Sequence, residues 1–182
     1  DITVNTINAG AVGDVSLSSA AAINDDSSAG TVITADVLTA TAVGGMTLDT
    51  TVNSVDLTTS AAGNIDLDET NAVTLTNITA ADGSVTVHAG GAIIATSVIS
   101  STDADANDIS LTTTSGDITV NTINAGAVGD VSLSAAAAIN DDSSAGTVIT
   151  ADVLTATAVG GMTLDTTVNS IDLTTSAAGD ID

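Results

Sequence analysis

The chain contains one long segment twice. Residues 1–66 recur, almost unchanged, as residues 117–182. Only three positions differ between the copies: Ser19 becomes Ala135, Val55 becomes Ile171 and Asn64 becomes Asp180. A long period repeated almost unchanged is typical of repeat architectures, in which each unit packs on its neighbours. We therefore expect one continuous domain over residues 1–182, with 1–116 as a full repeat and 117–182 as a partial second copy.

A shorter signature recurs inside the long repeat. It consists of a polar residue or glycine, an apolar residue, a small polar residue and another apolar residue. Successive signatures begin at Asp14, Gly45, Asn64, Ser84, Asp108 and Asp130. Alternation of this kind predicts β-strands with one apolar side, and no stretch has a helical pattern. We predict an all-β, right-handed parallel β-helix (a β-solenoid) with coils of about 19–31 residues and five coils per 116-residue repeat.

The signatures also predict which side chains share a column on the outer surface. Stacking them in register puts Leu67 and Val87 inside and Thr86 outside. One outward column then contains Ser16, Thr47, Asp66, Thr86, Ser110, Ser132 and Thr163. The next contains Ser18, Asp49, Asp68, His88, Thr112, Ser134 and Asp165. Five coils would place the two copies of the segment about 24 Å apart, related by a translation along the rod with some twist.

The composition excludes several classes of protein. The chain has no Lys, Arg, Pro, Cys or aromatic residue, and its formal net charge is −23. Apolar residues make up 43% of the chain, which argues against disorder. No apolar run approaches the roughly 18 residues of a membrane span, and no basic face exists for nucleic acid. We therefore expect neither membrane insertion nor nucleic-acid binding, and a core built from Val, Ile, Leu and Ala.

The repeated strands support a comparison with a known family. Strands of the type G-[DNS]-[IV]-x-[LV], the bias towards Ala, Gly, Thr, Ser and Asp, and the long duplication resemble giant repetitive bacterial exoproteins. Filamentous-haemagglutinin-like adhesins, with their right-handed β-helical shafts, are the named example. The resemblance covers the whole chain and implies an extracellular or cell-surface location. It also implies a structural role, as a spacer or adhesin stalk in a shaft or filament that projects from a bacterial cell.

The resemblance and the repetition together predict the partners. Adjacent repeats of the same chain should stack on this segment, and end-to-end or lateral self-association is expected for a rod of this kind. Another cell surface or a glycan would be the external partner. A calcium- or glycan-binding adhesive module is the alternative function. The sequence predicts no enzyme, because it lacks the basic and aromatic residues of β-helical polysaccharide-cleaving enzymes and shows no nucleophile–base pair.

Three acidic loops, the third of them the copy of the first, are candidate calcium sites. Their carboxylates belong to Asp25, Asp26, Asp103, Asp105, Asp108, Asp141 and Asp142. Oxygen ligands of this kind suit calcium, and the segment 103–108 places them at alternating positions, as in the first part of an EF-hand loop. The invariant glycine and the terminal glutamate of that loop are missing, so solvated turns are the alternative. No cofactor is required, and calcium is the one candidate.

The chain's single histidine gives a second candidate site. In the predicted column, His88 follows Asp68, which follows Asp49, with about 5 Å between successive coils. A histidine beside carboxylates can form an electrostatic pair or contribute to a metal site. The alternative is a solvated surface histidine with acidic neighbours.

Overall fold

The chain folds into an all-parallel β-solenoid of about eight coils. The computed structural model describes residues 1–26, 30, 32–142 and 148–182. Among these residues all regular structure is β-strand and no helix occurs. The strands are β1 (Ile2–Val4), β2 (Ile7–Asn8), β3 (Val15–Ser19), β4 (Ile23–Asp25), β5 (Ile33–Thr34), β6 (Val37–Ala42), β7 (Met46–Thr51), β8 (Ser54–Thr59), β9 (Ile65–Glu69), β10 (Val73–Ala80), β11 (Val85–Ala89), β12 (Ile93–Ala95), β13 (Val98–Ser100), β14 (Ile109–Thr113), β15 (Ile118–Val120), β16 (Ile123–Asn124), β17 (Val131–Ala135), β18 (Ile139–Asp141), β19 (Ile149–Ala158), β20 (Met162–Thr163) and β21 (Thr166–Thr175).

The chain passes through two ladders of paired strands in every coil. Ladder 1 is the series whose inward column contains Ile2, Ile23, Met46, Ile65, Val85, Ile109, Val131, Leu154 and Ile171. Ladder 2 is the series whose inward column contains Val15, Leu38, Val55, Leu75, Ala95 and Val120. All of these pairs are parallel, so the predicted parallel β-helix is confirmed, while its right-handed sense stays a prediction.

The interior is aliphatic, as the composition requires. Buried Val, Ile, Leu and Ala side chains form one continuous cluster, supplemented by Met46 and Met162. Leu67 and Val87 are fully buried, as predicted. Thr86, which precedes Val87 in β11, is partly exposed. Each coil presents its apolar side to the interior and depends on the coils above and below for cover, which makes the stack cohesive over its whole length.

The longest of the predicted coils is wrong. The stretch from Val15 to Met46 was predicted to be one coil, but its two ends lie in different ladders. Val15 lies in ladder 2, whereas Met46 lies in ladder 1. The coil that ends at Met46 begins at Ile23, its neighbour in ladder 1. The signature therefore marks strands of both ladders and does not count coils by itself.

The two copies of the long segment exchange ladders. Ile109 lies five coils beyond Ile2 in ladder 1. Ile118, the copy of Ile2, follows Ile109 in the chain and pairs with Ile93 and Ile139 in ladder 2. One repeat thus contains five full coils and the further passage from one ladder to the other. A translation with only some twist is therefore the wrong relationship, because the second copy is turned about the solenoid axis from one ladder to the other.

Candidate functional site

Asp49, Asp68 and His88 lie on three successive coils, as predicted. In the ladder register Asp68 pairs with Asp49 on one side and with His88 on the other. His88 and Asp68 are exposed, and Asp49 is partly exposed, because alternate residues of a strand point to opposite sides and the chain neighbours of all three are buried. The spacing between paired residues of adjacent strands is about 4.8 Å. The strands β7, β9 and β11 thus bring two carboxylates and one imidazole into a single outward column.

The other residues assigned to the two predicted columns are confirmed only in part. Thr112 and Ser134 do continue the column of His88. Likewise Thr47, Asp66, Thr86, Ser110 and Ser132 form one column. Four assignments are wrong because those residues lie in ladder 2 or in the connections to it: Ser16, Ser18, Thr163 and Asp165. Each of them depended on an interval between signatures that is longer than one coil.

A surface pocket of about 330 Å³ adjoins this column. Its polar lining includes Asp49, Asp68, His88 and Glu69, with Gly30 at one margin. Further lining comes from Thr70, Ala89, Gly90 and Thr114. The pocket therefore combines an acidic wall with one imidazole.

Glu69 is the buried member of this acidic group. Only 4% of its surface is exposed, because it points inward at the end of β9. Its Oε2 accepts hydrogen bonds from Thr50 Oγ1 at 2.7 Å and from the Val52 N–H at 3.0 Å. Its Oε1 accepts one from the Asn71 N–H at 3.1 Å. The carboxylate thus joins two successive coils where the chain turns from ladder 1 towards ladder 2.

Burial raises the pKa of the Glu69 carboxyl above its usual value, although the hydrogen bonds that it accepts lower the pKa in part. Sequence reasoning did not single out this residue as an inward one. The alternation of β9 contains the signal, since Glu69 is in phase with Ile65 and Leu67, which are both fully buried. A charged residue in the apolar phase of a strand predicts a buried carboxylate that requires donors.

Negative charge is concentrated around the column. Burial raises the pKa of Asp49 above its usual value, and the carboxylates of Asp25, Asp68 and Asp66 raise it further. Burial is also the largest cause of the raised pKa of Asp66. Asp68 and Asp25 raise that pKa further, whereas His88 lowers it. The chain has no Lys or Arg to offset this charge, so the column favours cationic over anionic ligands.

The loop at residues 103–108 uses two of its carboxylates to hold the backbone of the next coil. Asp103 Oδ1 accepts hydrogen bonds from the N–H groups of Ala127 and Val128, at 2.8 and 2.9 Å. Asp108 Oδ1 accepts one from the Asp130 N–H at 3.0 Å. Asp105 is exposed at the tip of the loop. This arrangement explains the acidic residues at 103 and 108 as caps for adjacent backbone amides.

The other predicted calcium ligands lie beside segments outside the described residues. Asp25 and Asp26 precede residues 27–29, and Asp141 and Asp142 precede residues 143–147. Asp26 accepts a hydrogen bond from Asn5 Nδ2, and Asp142 accepts the equivalent bond from Asn121 Nδ2. Across the described ranges, no group of three or more His, Cys, Asp or Glu side chains could hold a metal ion. Calcium binding stays a prediction.

Asparagine amides are recurrent partners of the carboxylates. The Nδ2 group of an Asn donates to an Asp carboxylate of the adjacent coil in several pairs, in addition to those of Asp26 and Asp142. These pairs are Asn53–Asp36 at 2.8 Å, and Asn77–Asp56, Asn107–Asp82 and Asn169–Asp152, each at 2.9 Å. A neutral amide donor can satisfy a carboxylate without adding a cation. The sequence alone does not predict these pairs, because the partners are about one coil apart in the chain.

Comparisons with protein-family models, with curated proteins and with solved structures found no match to this chain. Within the part of the chain that the structure describes, no helix is long and apolar enough to cross a membrane.

Proposed function

We propose that this chain is a structural segment of a giant extracellular β-helical shaft or filament that projects from a bacterial cell. The observation that carries the proposal is the ability of one sequence segment to occupy either ladder. Its first copy begins in ladder 1 with Ile2, and its second copy begins in ladder 2 with Ile118. When such a segment is duplicated, each copy can stack on the coil before it through the contacts that already exist. A shaft can therefore lengthen by repetition.

The mechanical role follows from the stack. Eight spacings of about 4.8 Å give a rod of about 38 Å, held by backbone ladders along its axis and by an aliphatic interior. In a longer chain, adjacent repeats would continue the same ladders. The acidic exterior repels neighbouring rods and favours their separation in solution. These properties suit a spacer between a cell and its contact surface, and they require no catalysis.

Cell-surface labelling tests the location. Antibodies raised against the 182-residue chain should label intact cells of the source organism, whereas an antibody to a cytoplasmic protein should label them only after lysis. Labelling that requires lysis would contradict the surface role.

Deletion of one 116-residue repeat from a filament of several repeats should shorten its projection by about 25 Å, since one repeat contains between five and six coils.

A calcium- or glycan-binding adhesive module is the second candidate function. The pocket beside Asp49, Asp68 and His88 favours the glycan, because carboxylates and an imidazole can form hydrogen bonds with sugar hydroxyls, whereas a calcium ion there would need further oxygen ligands. Titration calorimetry with calcium, and a glycan array, test the two ligands. The double variant Asp49→Asn/Asp68→Asn should abolish binding at this pocket, whereas Asp105→Asn should leave it unchanged. An unaltered affinity in the double variant would place the ligand elsewhere.

A further inference from the structure

The two walls of the solenoid differ in shape, and they exchange shapes along the chain. Wall 1 is ladder 1 together with the short strands that directly follow it in the chain, and wall 2 is ladder 2 defined in the same way. In the first coils wall 2 is continuous, because β3, β6 and β8 pair without a break. Wall 1 is interrupted there, since β1 pairs with β4 and, after a gap, β2 pairs with β5. From β11 onwards wall 1 is continuous and wall 2 is interrupted.

The spacing of the inward residues distinguishes the two shapes. In an interrupted wall the last inward residue of one strand and the first of the next are three positions apart, as in Val4 and Ile7 or their copies Val120 and Ile123. In a continuous wall, such as that of β9, inward and outward residues alternate without a break. The repeated segment begins with an interrupted wall in both copies. This is wall 1 in the first copy and wall 2 in the second.

The exchange takes place in one coil, which β9 and β10 form. On wall 1, β9 pairs without a break with both of its neighbours, β7 and β11. On wall 2, β10 contains a bulge, because its register with β8 shifts between Leu75 and Asn77 and leaves Thr76 as an extra residue. The bulge separates the inward residues Leu75 and Ile78 by three positions, which is the spacing of an interrupted wall. Strand β10 thus pairs with one continuous strand on one side and with two short strands, β12 and β13, on the other.

Glu69 lies at the point where wall 1 changes shape. It pairs with Thr50, which also pairs with β5 of the interrupted wall. After this pair the two coils take connections of unequal length to wall 2, residues 51–53 in one coil and residues 70–73 in the next. The Glu69 carboxylate accepts an N–H group from each connection and so joins the unequal stretches. Both Glu69 and the bulge belong to the unrepeated part of the chain, residues 67–116.

We propose that the coil of β9 and β10 is a half-turn adapter, which makes successive copies of the repeated segment face opposite sides of the solenoid. Ile2 and its copy Ile118 show the exchange of wall 1 for wall 2, and Val15 and its copy Val131 show the reverse exchange. A rotation that exchanges two walls restores both of them when it is applied twice, so it is half a turn. In a longer shaft, one further repeat therefore reverses the side that every later part faces, and two further repeats restore it.

The half turn determines which surfaces a partner can reach. Thr39 and Thr41 are exposed on wall 2, whereas their copies Thr155 and Thr157 are exposed on wall 1. A partner that recognises the repeated segment finds it on two opposite sides, so one shaft can hold such partners on both sides at once. This consequence rests on the shaft proposal. The adapter itself is a property of the 182-residue chain and is tested on that chain, so the two proposals fail separately.

Deletion of single coils tests the role of the adapter. Removal of residues 65–84 takes out the coil of β9 and β10 and places the short strands β12 and β13 on the continuous strand β8. Removal of residues 109–130 takes out a coil of similar length and places β17 on β11 and β18 on β12, so walls of the same shape meet. We expect the second variant to keep one cooperative transition near the wild-type melting temperature, and the first to melt about 10 °C or more below it. Equal losses in the two variants would overturn the role of this coil.

Distances between spin labels test the half turn in a chain with no coil removed. The chain has no cysteine, so labels attach only where one is introduced. Thr155 lies on wall 1, five coils beyond the exposed Thr47 of the same wall, whereas its copy Thr39 lies on wall 2. Pulsed electron paramagnetic resonance should give a longer distance for Thr39→Cys/Thr155→Cys than for Thr47→Cys/Thr155→Cys, because the first pair also spans the two sheets, about 10 Å apart. A translation without the half turn predicts the opposite order, so an equal or shorter distance for the first pair would overturn the proposal.

Discussion

Val15 and Val131 are copies of one another, yet they pair in different ladders. Val15 pairs with Leu38 in ladder 2, and Val131 pairs with Ile109 in ladder 1. The same Val-Ser-Leu-Ser sequence thus forms either wall of the solenoid. Both walls require only an apolar residue at alternate positions, so the pattern is compatible with each of them.

One difference between the copies has a structural explanation. The Ser19 hydroxyl accepts a hydrogen bond from the Ala21 N–H at 3.1 Å and donates one to the Ala22 carbonyl at 3.0 Å. In the second copy the N–H of Ala137, the copy of Ala21, donates instead to the Gly116 carbonyl of the coil below at 3.1 Å. The adjacent coil therefore supplies the acceptor for this bend, and the buried Ala135 replaces the serine.

Substitution of adjacent residues by the same side chain tests the inward and outward assignment. Val87→Asp should lower the free energy of unfolding by about 4 kcal/mol or more, because it places an unpaired charge in the aliphatic column. Thr86→Asp should cost within about 1 kcal/mol, since its side chain faces outward, although it lies beside Asp66. Thermal and denaturant unfolding measure both. Equal losses would show that the alternation is assigned to the wrong side.

Removal of the Glu69 carboxylate should weaken the link between two coils. Glu69→Ala leaves the Val52 and Asn71 N–H groups without their acceptor and should cost about 3 kcal/mol. Thr50→Val removes one donor and should cost about 1 kcal/mol. Denaturant unfolding gives these differences, and Asp68→Ala on the adjacent exposed position is the control. A cost for Glu69→Ala no larger than that of the control would show that the buried hydrogen bonds contribute nothing.

Mild acidification should stabilise the fold. The pKa values of Asp49, Asp66 and Glu69 are raised in the folded chain above their usual values of 3.8 for Asp and 4.5 for Glu. The folded state therefore binds more protons between the usual and the raised values. The stability from protonating these groups is complete below the usual values and is lost as the pH rises through the raised ones.

The measurement is the free energy of unfolding as the pH is lowered from neutral to the usual pKa values of 4.5 for Glu and 3.8 for Asp. We expect it to increase on acidification in the wild type and to change less in Asp49→Asn/Asp66→Asn. Asp105→Asn, a change of one exposed carboxylate, is the control and should retain the wild-type trend. A steady loss of wild-type stability over this interval would contradict the direction of the pKa shifts.

Substitutions of Asp103 distinguish two roles for its carboxylate, as an acceptor for backbone N–H groups and as a calcium ligand. Asp103→Asn keeps Oδ1 as an acceptor for the Ala127 and Val128 N–H groups, so it should be tolerated better than Asp103→Ala, which should cost about 2 kcal/mol. The difference should be the same in millimolar calcium and in a chelator. Sodium chloride should raise the melting temperature of all three proteins by screening their negative charge. A stabilisation by calcium beyond matched ionic strength, absent in Asp103→Asn, would instead identify Asp103 as a ligand.

The adjacency of Asp49, Asp68 and His88 could be predicted from the sequence for a specific reason. The signatures that contain them begin at Gly45, Asn64 and Ser84, and each of these two intervals is one coil. Local alternation then determined which side chains point outward. The calcium prediction at 103–108 rested on loop composition alone, and the structure assigns Asp103 and Asp108 to backbone amides one coil away.

The sequence by itself determined the solenoid class and the inward or outward direction of most strand residues, because both follow from a repeated alternation of period two. The tertiary structure decided which ladder each strand joins, because both ladders accept the same pattern and the number of residues in the bends varies. It also decided the partners of Glu69, since Thr50 and Val52 approach it only when successive coils stack. These contacts join residues about one coil apart, and their register depends on the path of the chain between them.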